Sequence, residues 1–263
     1  SRFSVDAGPD QQIRITVAGS NELLFDSGSL EIFEKTEDFY ALVDDFGPDG
    51  ATHANVVRTI GSNGSTILDE SQPASVRIGN YSEQSPVTAM LGTVVYPNIN
   101  KQTRSSSQES ENGSFEFKIT DASDTILEES PGPVTIRGGA FQSIYTFENN
   151  TTDATSVTRS LIAIDSFRLV RDRVLFKFIN GSNELVDVYI LRTGQDLDEV
   201  PALLNDISFA AQQNIESIAN EVEYVVRNSD NTETLASMSN TQQAGVSYTL
   251  VFDTQGVLHL LTD

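Results

Sequence analysis

The sequence predicts an all-β fold built as a tandem array of sandwich modules, the first of them incomplete. Three observations carry that expectation. Apolar residues recur at every second position and rarely at a 3.6-residue period, which is the pattern of half-buried strands. Short clusters rich in Asn, Asp, Gly and Pro punctuate those runs, and each of these residues favours turn geometry. Finally, one unit recurs in diverged form around residues 13–43, 115–147 and 222–252: an alternating strand, a polar turn, a return, and a strand bearing Tyr40, Tyr145 or Tyr248. Self-similarity of that kind marks repeated supersecondary units.

The elements follow in order. Ile13, Ile15 and Val17 alternate with Arg14 and Thr16, and residues 18–21 turn the chain into Leu23-Leu-Phe25. Residues 30–33 and 39–43 read as a second hairpin, residues 44–50 as an acidic loop, residues 56–60 as a short strand, and residues 61–73 as a linker holding a small strand. A new module opens at Ala74 with Ser-Val-Arg-Ile-Gly79. Its polar stretch 99–113 lacks periodicity and predicts a long exposed loop. Phe115-Glu-Phe-Lys-Ile119 and the strands to Ile164 complete that module. The third opens at Phe167. Val174-Leu-Phe-Lys-Phe-Ile179 is apolar on both faces, as a strand buried on both sides would be, and Asn180-Gly-Ser-Asn183 turns it into Leu185–Leu191. Residues 197–204 predict a helical turn. The expected modules are therefore 1–73, partial with a linker, then 74–166 and 167–263.

Composition excludes several functions. The chain has 263 residues, enough for a sizeable core, and 16 Lys plus Arg stand against 38 Asp plus Glu, for a formal charge of -22. Such a surface repels phosphate backbones, so nucleic acid is not an expected partner. Without cysteine there is no disulfide, thiolate metal site or cysteine nucleophile. No run approaches the ~20 apolar residues of a membrane helix. The chain starts at Ser1 rather than Met, which suggests an upstream segment removed or omitted.

Few residue patterns point to chemistry. Asp44, Asp45 and Asp49, grouped around Gly47 and Gly50, supply the closely spaced oxygen ligands that calcium takes, although not at EF-hand spacing. A solvated acidic turn is the competing reading; beyond this calcium candidate no cofactor is expected. His53 and His259 are the only histidines, both lie in or beside predicted strands, and no Gly-x-Ser-x-Gly elbow accompanies them, so a catalytic triad is not indicated and no catalytic residue is assigned. Arg168, Arg171 and Arg173, with Lys177, form a basic cluster at the junction of the second and third modules, suited to a carboxylate-bearing polysaccharide, to docking against acidic loops, or to ion pairing between modules. Sequons at Asn63, Asn80, Asn112, Asn149, Asn150 and Asn180 fit surface turns. The three tyrosines read as core residues with bonded hydroxyls more readily than as a carbohydrate platform.

Val174-Leu-Phe-Lys-Phe-Ile-Asn180, Val186-Asp-Val-Tyr189 and Ala244-Gly-Val-Ser-Tyr-Thr-Leu-Val251 together resemble the tandem immunoglobulin-like domain family catalogued as domain of unknown function 4397. Val76-Arg-Ile-Gly-Asn80 fits the same opening pattern, whereas Thr88-Ala-Met and Phe141-Gln-Ser-Ile-Tyr-Thr depart from it. The resemblance implies immunoglobulin-like sandwiches of an exported or lipid-anchored bacterial protein, and carries no catalytic residues. The expected function is that of a non-catalytic structural or adhesive protein of the cell surface or matrix, exported from the cell, whose partner is itself or a surface polymer. Two alternatives stand beside it: a filament subunit assembled by strand complementation of the incomplete first module, and a carbohydrate-binding accessory module or hydrolase.

Overall fold

The structure is a computed structural model that describes residues 6, 8–33, 38–46, 52–60, 63–130, 132–150, 157–165, 172–230 and 233–263. It is all-β, as the alternation predicts. No helix is long and apolar enough to cross a membrane among the described residues.

The N-terminal region holds β1 (Gly8–Gln11), β2 (Arg14–Thr16), β3 (Leu23–Asp26), β4 (Leu30–Ile32), β5 (Asp38–Phe46), β6 (Thr52–Ile60) and β7 (Asn63–Ile67). These make three small sheets: β1 with β4, β2 with β3, and β5-β6-β7. The hairpin from β2 to β3 is where the sequence places it. The second expected hairpin is not formed, because β4 turns back to β1 while β5 pairs along its whole length with β6. Among the described residues, none of these sheets has the four-stranded order that both later sandwiches share.

The first sandwich comprises β8 (Ala74–Tyr81), β9 (Val87–Leu91), β10 (Val94–Ile99), β11 (Thr103–Arg104), β12 (Gln108–Ser110), β13 (Gly113–Phe115), β14 (Phe117–Thr120), β15 (Ile126–Glu129), β16 (Val134–Ile136), β17 (Phe141–Glu148) and β18 (Thr158–Asp165). Its sheets run β11-β8-β17-β18 and β10-β9-β14-β15. The second comprises β19 (Val174–Asn180), β20 (Val186–Arg192), a 3-10 turn at Leu197–Glu199, β21 (Leu204–Ile207), β22 (Gln212–Ser217), β23 (Glu221–Asn228), β24 (Thr234–Thr241), β25 (Ser247–Phe252) and β26 (Leu258–Thr262). Its sheets run β22-β19-β25-β26 and β21-β20-β23-β24. The topology is the same in both: the opening strand pairs parallel with the penultimate one, β8 with β17 and β19 with β25. That order differs from the A-B-E-D and C-F-G sheets of an immunoglobulin domain. The polar stretch after Ile99 is not a free loop: β11 and β12 pair along the outer edge of β8, and Ser105 Oγ accepts from Ile78 N. An edge strand's backbone needs partners whatever the polarity of the side chains beside it.

Each sandwich encloses its own core. Val76, Ile78, Ala89, Leu91, Phe117, Ile119 and Ile144 pack in the first, and Phe176, Phe178, Val188, Tyr224, Val226, Leu250 and Phe252 in the second. A third cluster, with Tyr81, Tyr145, Phe147, Leu161, Ile179 and Val251, lies between them. The β8 and β19 sheets therefore face each other, and the block is four sheets deep. That arrangement explains why β8, β17 and β25 are buried at nearly every position rather than at alternate ones.

One buried asparagine sits at the same place in both sandwiches. Asn80 Nδ2 donates to the carbonyls of Gln84 and Ile99, and its Oδ1 accepts from Ser82 N and Oγ. Asn180 Nδ2 donates to Glu184 and Ile207, and its Oδ1 accepts from Ser182 N and Oγ. The two sequons are thus not surface turns: each Asn is buried and spends its amide closing the turn after the first strand.

Candidate functional site

The strongest concentration of chemistry lies where the two sandwiches meet. Alternation along β8 sends Val76 and Ile78 inward and leaves Ser75, Arg77 and Gly79 on the opposite face; β19 likewise sends Phe176 and Phe178 inward and Lys177 and Ile179 outward. Counting back three residues from the two equivalent asparagines places Arg77 and Lys177 at the same position. The last strands obey the same equivalence, since Asp165 pairs with Phe141 and Asp263 N donates to Ser247 O at the matching step. Ser143, opposite Arg77, corresponds to Thr249, opposite Lys177.

These six positions form one buried ion cluster. The Lys177 ammonium pairs with Asp165. Arg77 lies 2.7 Å from Asp263 and 3.3 Å from Asp165, and its Nε donates to Ser143 Oγ. Ser143 Oγ donates to Asp165 at 2.5 Å, and Thr249 Oγ1 to Asp263 at 2.6 Å. Arg104 joins from β11, donating to Asp263 and to the Thr262 carbonyl. Each sandwich's cation meets the other's carboxylate, which is the self-complementary pattern of a twofold interface. Burial by itself would raise the Asp263 carboxyl; Arg77 and Arg104 outweigh it and hold the group below the ordinary carboxylate value. The Tyr81 and Tyr145 hydroxyls lie beside the cluster with no partner among the described residues, and burial raises both phenols. Close approach of the sheets depends on glycine. A Cβ at Gly181 would come within 2.0 Å of the Phe147 ring.

The residues singled out from sequence fall as follows. Of the basic cluster, Lys177 is the buried member of the network; Arg173 is exposed and contributes its carbonyl to Gly245 N; Arg168 and Arg171 lie outside the described residues. Ion pairing between modules is thus the role of Lys177. The acidic loop is corrected: Asp44 and Asp45 belong to β5, paired with Ala54 and His53, because β5 extends to Phe46, and Asp49 lies outside the described residues. No group of three metal-ligating side chains occurs among the described residues.

Both histidines have partners. His53 Nδ1 lies 3.0 Å from the Gly139 carbonyl, its ring stacked on Phe141, and His259 Nε2 lies 2.6 Å from Asp253 beneath Tyr81. The three tyrosines are not equivalent. Tyr248 faces the core of the second sandwich and its hydroxyl accepts from Gln243 N, Tyr145 faces the interface, and Tyr40 lies near Arg58 in β5-β6-β7. Sequence alignment matched them by ring, whereas register matches Tyr145 to Val251.

Reasoning from sequence missed Arg77, Arg104, Asp165 and Asp263. The signal was present: a basic residue three before the Asn-x-Ser turn, and an Asp closing the last strand, occur in both sandwiches.

The architecture defines an all-β protein of paired β-sandwiches. No family model matches the chain, and no curated protein does. Among solved structures it is similar to CBMbc, the CBM26-family module from Eubacterium rectale Amy13K in complex with maltoheptaose. That likeness is 8% in identity, covers 72% of this chain and 97% of that one, and has a TM-score of 0.26.

Proposed function

We propose that the chain is a non-catalytic structural or adhesive protein of the cell surface or extracellular matrix, and that its resemblance to the 4397 family reflects kinship. The observation that carries this reading is the buried ion cluster, which couples the two sandwiches into one block. Charged groups that an enzyme would turn toward a substrate are here directed at each other. The chain path adds support. Strand starts at residues 75 and 175 lie beside strand ends at residues 165 and 263, so both sandwiches are entered and left at the end that carries the ion cluster. The turns after Tyr81 and Asn180 lie at the opposite end of the same strands.

Labelling of intact producing cells with an antibody to the folded protein tests this reading, together with attachment of a deletion strain to surfaces. Surface label and weakened attachment are expected; a cytosolic protein whose loss leaves attachment unchanged would overturn it. Self-association is the second reading, favoured by the N-terminal region. Leu23, Leu24, Phe33 and Leu42 are exposed there, Phe39 to 62%, on and beside a sheet whose edge strand β5 has one side unpaired among the described residues. Exposed apolar edges are templates for strand addition. Light scattering across a concentration series should then show growth, and a monomer throughout would exclude it.

A further inference from the structure

The first sandwich holds a cleft lined in part by polar residues where its sister carries apolar ones. It has a volume of about 380 Å³ and is lined by Phe117, Pro133, Val134, Ile144 and Ile162 together with Glu128, Ser130, Thr135 and Ser160. That size lies within the range of small-molecule sites, and an apolar floor with few polar groups is their usual composition. The Glu128 carboxylate accepts from Ser160 Oγ at 2.8 Å and Thr158 Oγ1 at 3.2 Å. Burial raises it, the two hydroxyls offset this in part, and no Lys, Arg or His pairs with it among the described residues.

The internal repeat shows what the second sandwich holds at these positions. Register runs Ala89–Ile119–Glu128 across β9, β14 and β15, and Val188–Val226–Ala236 across β20, β23 and β24. Glu128 therefore corresponds to Ala236. Counting back five residues from the equivalent Asp165 and Asp263 matches Ser160 to Leu258. In the second sandwich Ala236 and Leu258 pack against the core. A fold that can fill this place with a methyl and an isobutyl group instead carries, in one copy only, a carboxylate without a counter-ion. Partly burying a carboxylate that has hydroxyl donors but no counter-ion costs stability, and a ligand that supplied the missing cation would recover it.

We infer that this cleft binds a small amphipathic ammonium ligand, its apolar body against Phe117, Ile144 and Ile162 and its ammonium on Glu128. Selectivity comes from both parts: the pairing excludes anions, and the floor disfavours fully hydrated cations such as sodium. The Ser130 hydroxyl donates to the Gly132 carbonyl and the Thr135 hydroxyl lies 3.4 Å from Ser114 Oγ, and both oxygens keep lone pairs for the remaining ammonium protons.

Phenethylammonium serves as the probe, titrated into the full chain in 0.3 M sodium chloride so that the acidic surface is screened more than the cleft. Backbone amide shifts in nuclear magnetic resonance report where it binds. Saturable shifts at Phe117, Glu128, Val134 and Ile162, absent at Ala236 and Leu258, are expected. Phenethyl alcohol should bind at least tenfold more weakly, and Glu128→Gln should lose at least tenfold with the fold retained. Ser160→Leu, which installs the sister sandwich's residue, gives a second variant and should abolish binding. Shifts spread over the acidic surface, equal binding of the alcohol, or unchanged binding in Glu128→Gln would each overturn the proposal.

Discussion

Replacing Lys177 by Met removes the ammonium from the ion cluster while keeping most of the aliphatic stem, so it isolates the charge. The side chain is 5% exposed and its partner Asp165 is 1% exposed, which places the pair beyond the screening that weakens surface salt bridges. Removing one member of a buried pair typically costs about 3–5 kcal/mol, because the remaining charge is left without compensation. Arg77 at 3.3 Å and the Ser143 hydroxyl still reach Asp165, which sets the expectation at the lower end, about 3 kcal/mol. In a cooperative unit of this size each kcal/mol lowers Tm by about 2–4 °C, so the loss should be about 6–12 °C. Differential scanning calorimetry with urea denaturation measures both quantities. A double-mutant cycle with Asp165→Asn should return a coupling energy above about 1 kcal/mol. A loss below about 1 kcal/mol, the value of an exposed pair, would refute the argument that this network is buried and couples the sandwiches.

Three further outcomes follow from the same geometry. Asn180→Ala strips the Glu184 and Ile207 carbonyls and the Ser182 groups of their shared partner; at about 1–3 kcal/mol per unsatisfied buried group it should lose at least 3 kcal/mol in urea denaturation, and Asn80→Ala about as much. Gly181→Ala drives a methyl into the Phe147 ring and should cost about 1–3 kcal/mol, seen as a lower Tm and a loosened Phe147 environment in proton spectra. The Asp263 carboxyl titrates below its unfolded value of 3.8, so its contribution is present at neutral pH and lost as pH falls through the depressed folded value; Asp263→Asn should lower stability at pH 7 and flatten the acid limb of a Tm profile below about pH 4.

Much of the fold was legible because burial writes a period into sequence. The alternation in Glu-Val-Glu-Tyr-Val-Val and the Asn-Gly-Ser-Asn turn read directly as β23 and the end of β19. The doubly apolar run of β19 was a correct sign of burial on both sides, though the second side proved to be the other sandwich. Less was legible where pairing depends on distant partners. The polar residues of β11 and β12 form strands because β8 has an open edge, and β4 turns to β1 instead of β5 because backbone pairing there is settled by tertiary position. Asp165 and Lys177 come from consecutive strands 12 residues apart, but Arg77 meets Asp263 across 186 residues, so no local spacing reveals the whole cluster. Only a register-true alignment of the two sandwiches could have done so, and aligning by tyrosine concealed it.

The buried ion cluster couples the two sandwiches into one block, and the cysteine-free chain allows a clean test of that coupling. Thr93 and Thr193 are both exposed, one in each sandwich. With a spin label on a cysteine at each, double electron–electron resonance should give a single narrow distance distribution, which broadens when Lys177→Met is added. A broad or multimodal distribution in the otherwise unaltered chain would show sandwiches that move independently, and would contradict the coupled block.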